Sequence, residues 1–142
     1  MTRHPSRTQA GVMLLEALLG LLIFSIGILA MIAMQAMAMR TTVDSKYRSE
    51  AGFLGNEIVG LIWSDPANLA NYDTTTNSCT GTATCNTWLT KVQATLPNAT
   101  DANAPVIAVA GRQVTITIFW QPPGTTTPSN HQVVAQVYRA TD

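Results

Sequence analysis

Hydrophobic positions run almost without interruption from residue 12 to residue 39, opening as GVMLLEALLGLLIF, and only isolated small or polar residues such as Ser25 and Gln35 break the run. At 28 residues the segment exceeds the roughly 20 apolar residues that a helix needs to span a bilayer. From residue 40 the pattern turns amphipathic. Val43, Tyr47, Ala51, Leu54, Ile58 and Ile62 recur at three- or four-residue spacing and form one apolar stripe, while Asp44, Lys46, Arg48, Glu50 and Glu57 fill the other faces. No proline occurs between Pro5 and Pro66, so one helix can run from near Val12 to about Ser64, roughly 80 Å at 1.5 Å per residue. Its first half is expected in a membrane and its second half beyond it. Gly52, Gly55 and Gly60 each weaken the second half by about 1 kcal/mol relative to alanine, so that half must gain its stability by packing the stripe onto the rest of the chain.

The pattern changes again past residue 64. Residues 65–105 are rich in Asn, Thr, Ala and Pro and read as loop, with a short helix around TWLTKVQATL. Period-two alternation then appears in VIAVAG, RQVTITIFW and HQVVAQVYR, which read as strands, and QPPGTTTPSN between the last two reads as a hairpin loop. The fold class is therefore α+β: one long N-terminal helix on a small antiparallel sheet of three or four strands.

At 142 residues there is room for one modest domain besides the apolar segment. Arg3 and Arg7 precede any acid, and without the first eleven residues the chain carries six basic and eight acidic groups, which gives no electrostatic reason to bind nucleic acid. A secretory signal would have a shorter apolar core and a small-residue cleavage site, so the segment reads as retained. Basic residues flank it on both sides, Arg3 and Arg7 before and Arg40, Lys46 and Arg48 after, and charge alone leaves its orientation open. Cys79 and Cys85 are the only cysteines and lie in the turn-forming TTTNSCTGTATCN, where a small disulfide loop closes easily. Paired, they imply an oxidising compartment; two unpaired thiols are the alternative. Zinc is disfavoured because His131 is the sole nitrogen ligand in the body of the chain and four ligands are wanted.

Candidate chemistry is sparse. The chain has no HExxH, no GxSxG and no phosphate-binding glycine loop, so no cofactor and no catalytic activity are expected. A lone His131 beside a polar loop reads as solvated. The triplet Asn98-Ala99-Thr100 is short enough to arise by chance and reads as loop. Met31, Met34, Met37 and Met39 read as packing residues rather than a soft-metal site, and Gly20, Gly27, Ala17, Ala30, Ala33 and Ala36 allow close helix approach. Glu16 stands apart as the only charge in the apolar run. A carboxylate inside a membrane helix costs about 2.5–3.5 kcal/mol on insertion scales, which marks it as functional, unless it reaches the headgroups from its place near the segment's start.

The string TQAGVMLLEALLGLLIFSIG resembles the class III signal sequence of type IV prepilins. In that family a short basic leader ends in glycine, a dedicated peptidase cuts after it on the cytoplasmic side, and a glutamate stands five residues past the cut. Gly11 and Glu16 match both positions. The resemblance implies a leader of residues 1–11, a new and N-methylated terminus at Val12, and a helix whose C-terminal end faces out of the cytoplasm. Further stretches, KYRSEAGFLGNEIVGLIWSDPAN, CNTWLTKVQATLP and GRQVTITIFWQ, are similar to the minor pilins called type IV pilus modification protein, PilV-type. Val12 departs from the family's usual phenylalanine or methionine, and the absence of a cysteine near the C-terminus argues against a major pilin.

The resemblance thus divides the chain into a cleaved leader (1–11), a transmembrane and filament-core helix (12–39), its amphipathic extension (40–65) and an extracytoplasmic domain (66–142). It implies a structural subunit whose partners are other major and minor pilins, the prepilin peptidase, the inner-membrane assembly platform and membrane lipid. Glu16 would pair with the Val12 amine of a neighbouring subunit and so select an axial register. A minor pseudopilin of type II secretion carries the same signal. A periplasmic binding domain on a permanent anchor, with Glu16 incidental, is the reading of a different class.

Overall fold

The computed structural model describes residues 9–76, 79 and 81–138. Helix α1 spans Gln9–Ser64, α2 spans Ala83–Thr95, and strands β1 (Val106–Ala110), β2 (Gln113–Trp120) and β3 (Ser129–Gln136) follow. The chain divides into two compact units, Met1–Thr42 and Val43–Asp142. One long N-terminal apolar helix and a three-stranded antiparallel sheet of order β1-β2-β3 make up the α+β architecture.

In the first unit the apolar pattern produces helix and nothing else. Every residue from 11 to 42 is exposed. Its length and composition suffice to cross a membrane.

In the second unit the amphipathic stripe finds its partner. Ala51, Leu54, Ile58 and Ile62 are fully buried, Tyr47 is half-buried, and Val43, at the stripe's start, remains exposed. Facing them, β2 alternates as a half-buried strand should: Val114, Ile116, Ile118 and Trp120 all point into the core. Register is continuous on both sides, with Ile116 opposite Ile107 on β1 and Val133 on β3. Gly55 is buried where α1 crosses β3; a β-carbon there would stand 2.8 Å from Val133 Cγ2. The glycine that weakens the helix is the residue that lets it approach the sheet.

The stretch expected as loop holds more structure than its composition suggests. A 3-10 helix occupies Pro66–Tyr72, a 3-10 turn occupies Asp101–Asn103, and α2 begins four residues before the expected TWLTKVQATL. Tertiary packing outweighs weak local propensity here. Cys85, Trp88 and Val92 bury one face of α2, and the Trp88 indole N–H donates to the Leu54 carbonyl of α1 (2.9 Å). Lys91 Nζ meets Glu57 at 2.7 Å and lies 5.6 Å from the Phe53 ring centroid. Strand β3 starts two residues before the expected HQVVAQVYR and ends at Gln136, and Arg139 of that stretch lies outside the described residues.

Candidate functional site

The first unit carries Gly11, Val12 and Glu16. Helical backbone satisfies its own hydrogen bonds, and the hydroxyls here do the same. Ser25 Oγ donates to the Leu21 carbonyl (2.7 Å), Thr41 Oγ1 to that of Met37 (3.1 Å) and Thr42 Oγ1 to that of Ala38 (2.9 Å). Such groups need no water, which suits hydrocarbon surroundings. Large apolar side chains dominate the rest of the surface: Leu18 is 59% exposed and Phe24 65%.

Glu16 sits on this surface, and among the described residues no hydrogen bond or ion pair reaches its carboxylate. Val12 precedes it by four positions, one helical turn, so the two share a face and lie about 6 Å apart along the axis. Gly11 and Val12 are both helical and exposed, which puts the peptide bond between them near the start of α1. Residues 1–8 of the expected leader, with Arg3 and Arg7, lie outside the described residues.

In the second unit Cys79 and Cys85 are joined in a disulfide with their Cα atoms 5.4 Å apart, and both are fully buried in the core. Cys79 adopts a left-handed backbone (φ 57), and its carbonyl accepts the Thr82 N–H at 3.4 Å. Cys85 lies in the first turn of α2, so the bridge ties that helix to the preceding turn.

The remaining candidates have structural surroundings. His131 is half-buried within β3, with Nε2 3.6 Å from where a β-carbon on Gly52 would stand, and no described carboxylate, thiol or hydroxyl bonds to it. Asn98 turns the chain in a left-handed conformation (φ 53) and donates through Nδ2 to Gln121 Oε1 (2.9 Å). Among the described residues no group of three or more His, Cys, Asp or Glu is placed to hold a metal ion. An open cavity of about 270 Å³ lies between α2 and the segment before β1; Asp101 is the one ionisable residue among those lining it.

Two groups outside the first unit have displaced titrations. Burial, then the charge of Asp65, pushes the Tyr72 phenol up from its ordinary value. The hydrogen bond from the Thr75 hydroxyl holds the Asp73 carboxyl below the usual range.

Sequence reasoning missed three positioning contacts: Gly55 on Val133, Trp88 on the Leu54 carbonyl, and Trp63, whose indole N–H donates to the Gln136 carbonyl at 3.2 Å. The spacing of Cys85, Trp88 and Val92 on one helical face was a signal for the second. The other two are long-range and have no local signature. No family profile, characterised protein or solved structure matches this chain.

Proposed function

We propose that the chain is a minor pilin, a structural subunit that acts in priming or assembling a type IV pilus and through it in adhesion or motility. The reading rests on the resemblance at Gly11 and Glu16, and one observation carries it: Glu16 is a carboxylate that no described group pairs with, on an exposed apolar helix and one turn past Val12. Cleavage after Gly11 creates an ammonium at Val12, and N-methylation preserves its charge. In a low-dielectric bundle of such helices an uncompensated carboxylate is costly, and a neighbour's terminal amine is the nearest partner of opposite sign. The pair fixes the axial offset between subunits as they leave the membrane.

The remaining roles follow from that step. Before assembly, residues 12–39 hold the subunit in the inner membrane, and in the filament they pack against other major and minor pilins. The peptidase and the assembly platform meet the chain at this helix. The domain carrying the disulfide lies in the periplasm and then on the cell surface, where oxidation is favoured. No step requires catalysis by the subunit, a cofactor or nucleic acid.

Intact-mass measurement on protein extracted from membranes with an active prepilin peptidase tests the proposal. A chain beginning at Val12 and bearing one methyl group is expected. Retention of residues 1–11 would return the chain to a plain anchored domain.

A further inference from the structure

Cys79 and Cys85 are both fully buried, yet one lies in a turn and the other in the first turn of a short helix. A thiolate that makes or breaks such a bridge has to reach one of its sulphurs, so the rate of exchange depends on access. With both residues enclosed, that access exists only after something moves. Two elements carry the pair and could move: the turn that holds Cys79 and helix α2, which holds Cys85.

The turn side is secured by backbone groups. The Thr74 N–H donates to the Ile107 carbonyl (2.9 Å) and the Ile107 N–H to Thr74 Oγ1 (2.8 Å), which ties the segment before Cys79 to β1. At Gly81 the chain lies so close to Asn71 that a β-carbon would stand 2.9 Å from its Cγ. Helix α2 is held otherwise. Among the described residues no backbone hydrogen bond joins it to α1 or to the sheet. What holds it is the buried face of Cys85, Trp88 and Val92, one bond from the Trp88 indole to the Leu54 carbonyl (2.9 Å), and the Lys91–Glu57 ion pair at the surface. Its N-cap residue, Thr82, makes no side-chain capping bond, and the Thr82 hydroxyl oxygen is buried without a partner among the described residues. A helix that is uncapped and tied down by side chains alone is the element that opens at least cost.

We propose that α2 gates the disulfide: the Cys79–Cys85 bridge exchanges with other thiols and disulfides only while α2 is lifted from α1, so it forms before α2 docks and is shielded afterwards. The step that forms it is exchange with a disulfide oxidant. One cysteine thiolate attacks a sulphur of the oxidant and expels a thiolate, leaving a mixed disulfide. The second cysteine thiolate then attacks the first cysteine's sulphur and expels the oxidant's other thiolate. Two electrons pass from the cysteine pair to the oxidant, and the two protons that the cysteines lose are taken up by the two departing thiolates. Docking of Trp88 and Val92 on α1 and the sheet then carries the new bridge into the core. The gate stands whether or not residues 1–11 are removed.

Reduction of the full chain in detergent micelles by dithiothreitol, with freed thiols trapped by iodoacetamide and counted by mass, tests the gate. Native protein should react at least about a hundredfold more slowly than the chain unfolded in guanidinium. Trp88→Phe removes the bond to the Leu54 carbonyl and should speed native reduction by about threefold to tenfold. Lys91→Met, an exposed change that leaves the core intact, should speed it by about twofold. Gly60→Ala strengthens α1 at a point with nothing within 4 Å and should leave the rate unchanged, because α1 stays formed while α2 opens. A native rate close to the unfolded one overturns the proposal, since the bridge is then open to direct attack. Rates unmoved by both Trp88→Phe and Lys91→Met also overturn it, in favour of opening at the turn. Slowing by Gly60→Ala overturns it as well, because the bridge then waits on unfolding of the whole second unit.

Discussion

A β-carbon added to Gly55 would stand 2.8 Å from Cγ2 of Val133, closer than two carbons can approach, so α1 and β3 meet backbone against side chain at that level. Gly60, five positions along the same helix, has nothing within 4 Å of the same point. Alanine at position 60 should therefore stabilise the second unit by about 0.5–1 kcal/mol through helix propensity alone. Alanine at 55 gains the same propensity but must push Val133 aside, at about 1–3 kcal/mol for overpacking, and should destabilise by about 1 kcal/mol. Urea unfolding of the full chain in detergent, followed by tryptophan fluorescence, reads both changes. Shifts of the same sign would show that packing at Gly55 does not limit the helix.

The Cys79–Cys85 bridge closes a short loop between a turn and α2, with a sequence separation of 6. On loop-entropy arguments a closure of that length contributes about 2 kcal/mol, less than a long one. Thiol labelling of the unreduced protein should find no reactive group, and reduction should lower the unfolding free energy by about that amount. Two thiols labelled without reductant would contradict the paired state.

Asp73 Oδ1 accepts from both the backbone N–H (2.8 Å) and the hydroxyl (2.5 Å) of Thr75. The hydroxyl bond is the largest cause of its lowered pKa. A carboxyl depressed in the folded state contributes stability above its unfolded pKa, about 3.9, and loses it as pH falls through the lower folded value. Asp73→Asn should thus be less stable than the parent at neutral pH and converge with it in acid. Thermal midpoints between pH 7 and pH 2 measure this, and parallel curves would remove Asp73 from the acid response.

Local periodicity made the principal elements legible. Leu54, Ile58 and Ile62 repeat at helical spacing and Val114, Ile116 and Ile118 alternate, so each showed its buried face before any partner was known. Helix α2 was half visible for the opposite reason: Thr84, Cys85 and Asn86 in its first turn are weak helix formers, and the contact that anchors it, Trp88 on an α1 carbonyl, comes from 34 residues away. Gly55 read as a weakness because the cost of glycine is local while its benefit, closeness to Val133, is not. Glu16 was conspicuous from composition alone, but a lone charge does not name its partner.

The proposed partner, a neighbour's Val12 amine, is the subject of the sharpest test. Glu16→Leu makes the apolar segment more apolar, so membrane insertion and removal of residues 1–11 should persist. On the proposed pilin reading, incorporation into filaments should fail, with the variant accumulating in the inner membrane. Glu16→Asp keeps the charge and shortens the reach, and should fall between the two. On a permanent anchor the leucine variant would only hold more firmly, with no selective loss from any cellular fraction. Cells separated into membrane and sheared-filament pools and probed with an antibody against the second unit distinguish these outcomes. A leucine variant recovered in filaments at the parent level would defeat the pairing of Glu16 with a neighbour's Val12 amine.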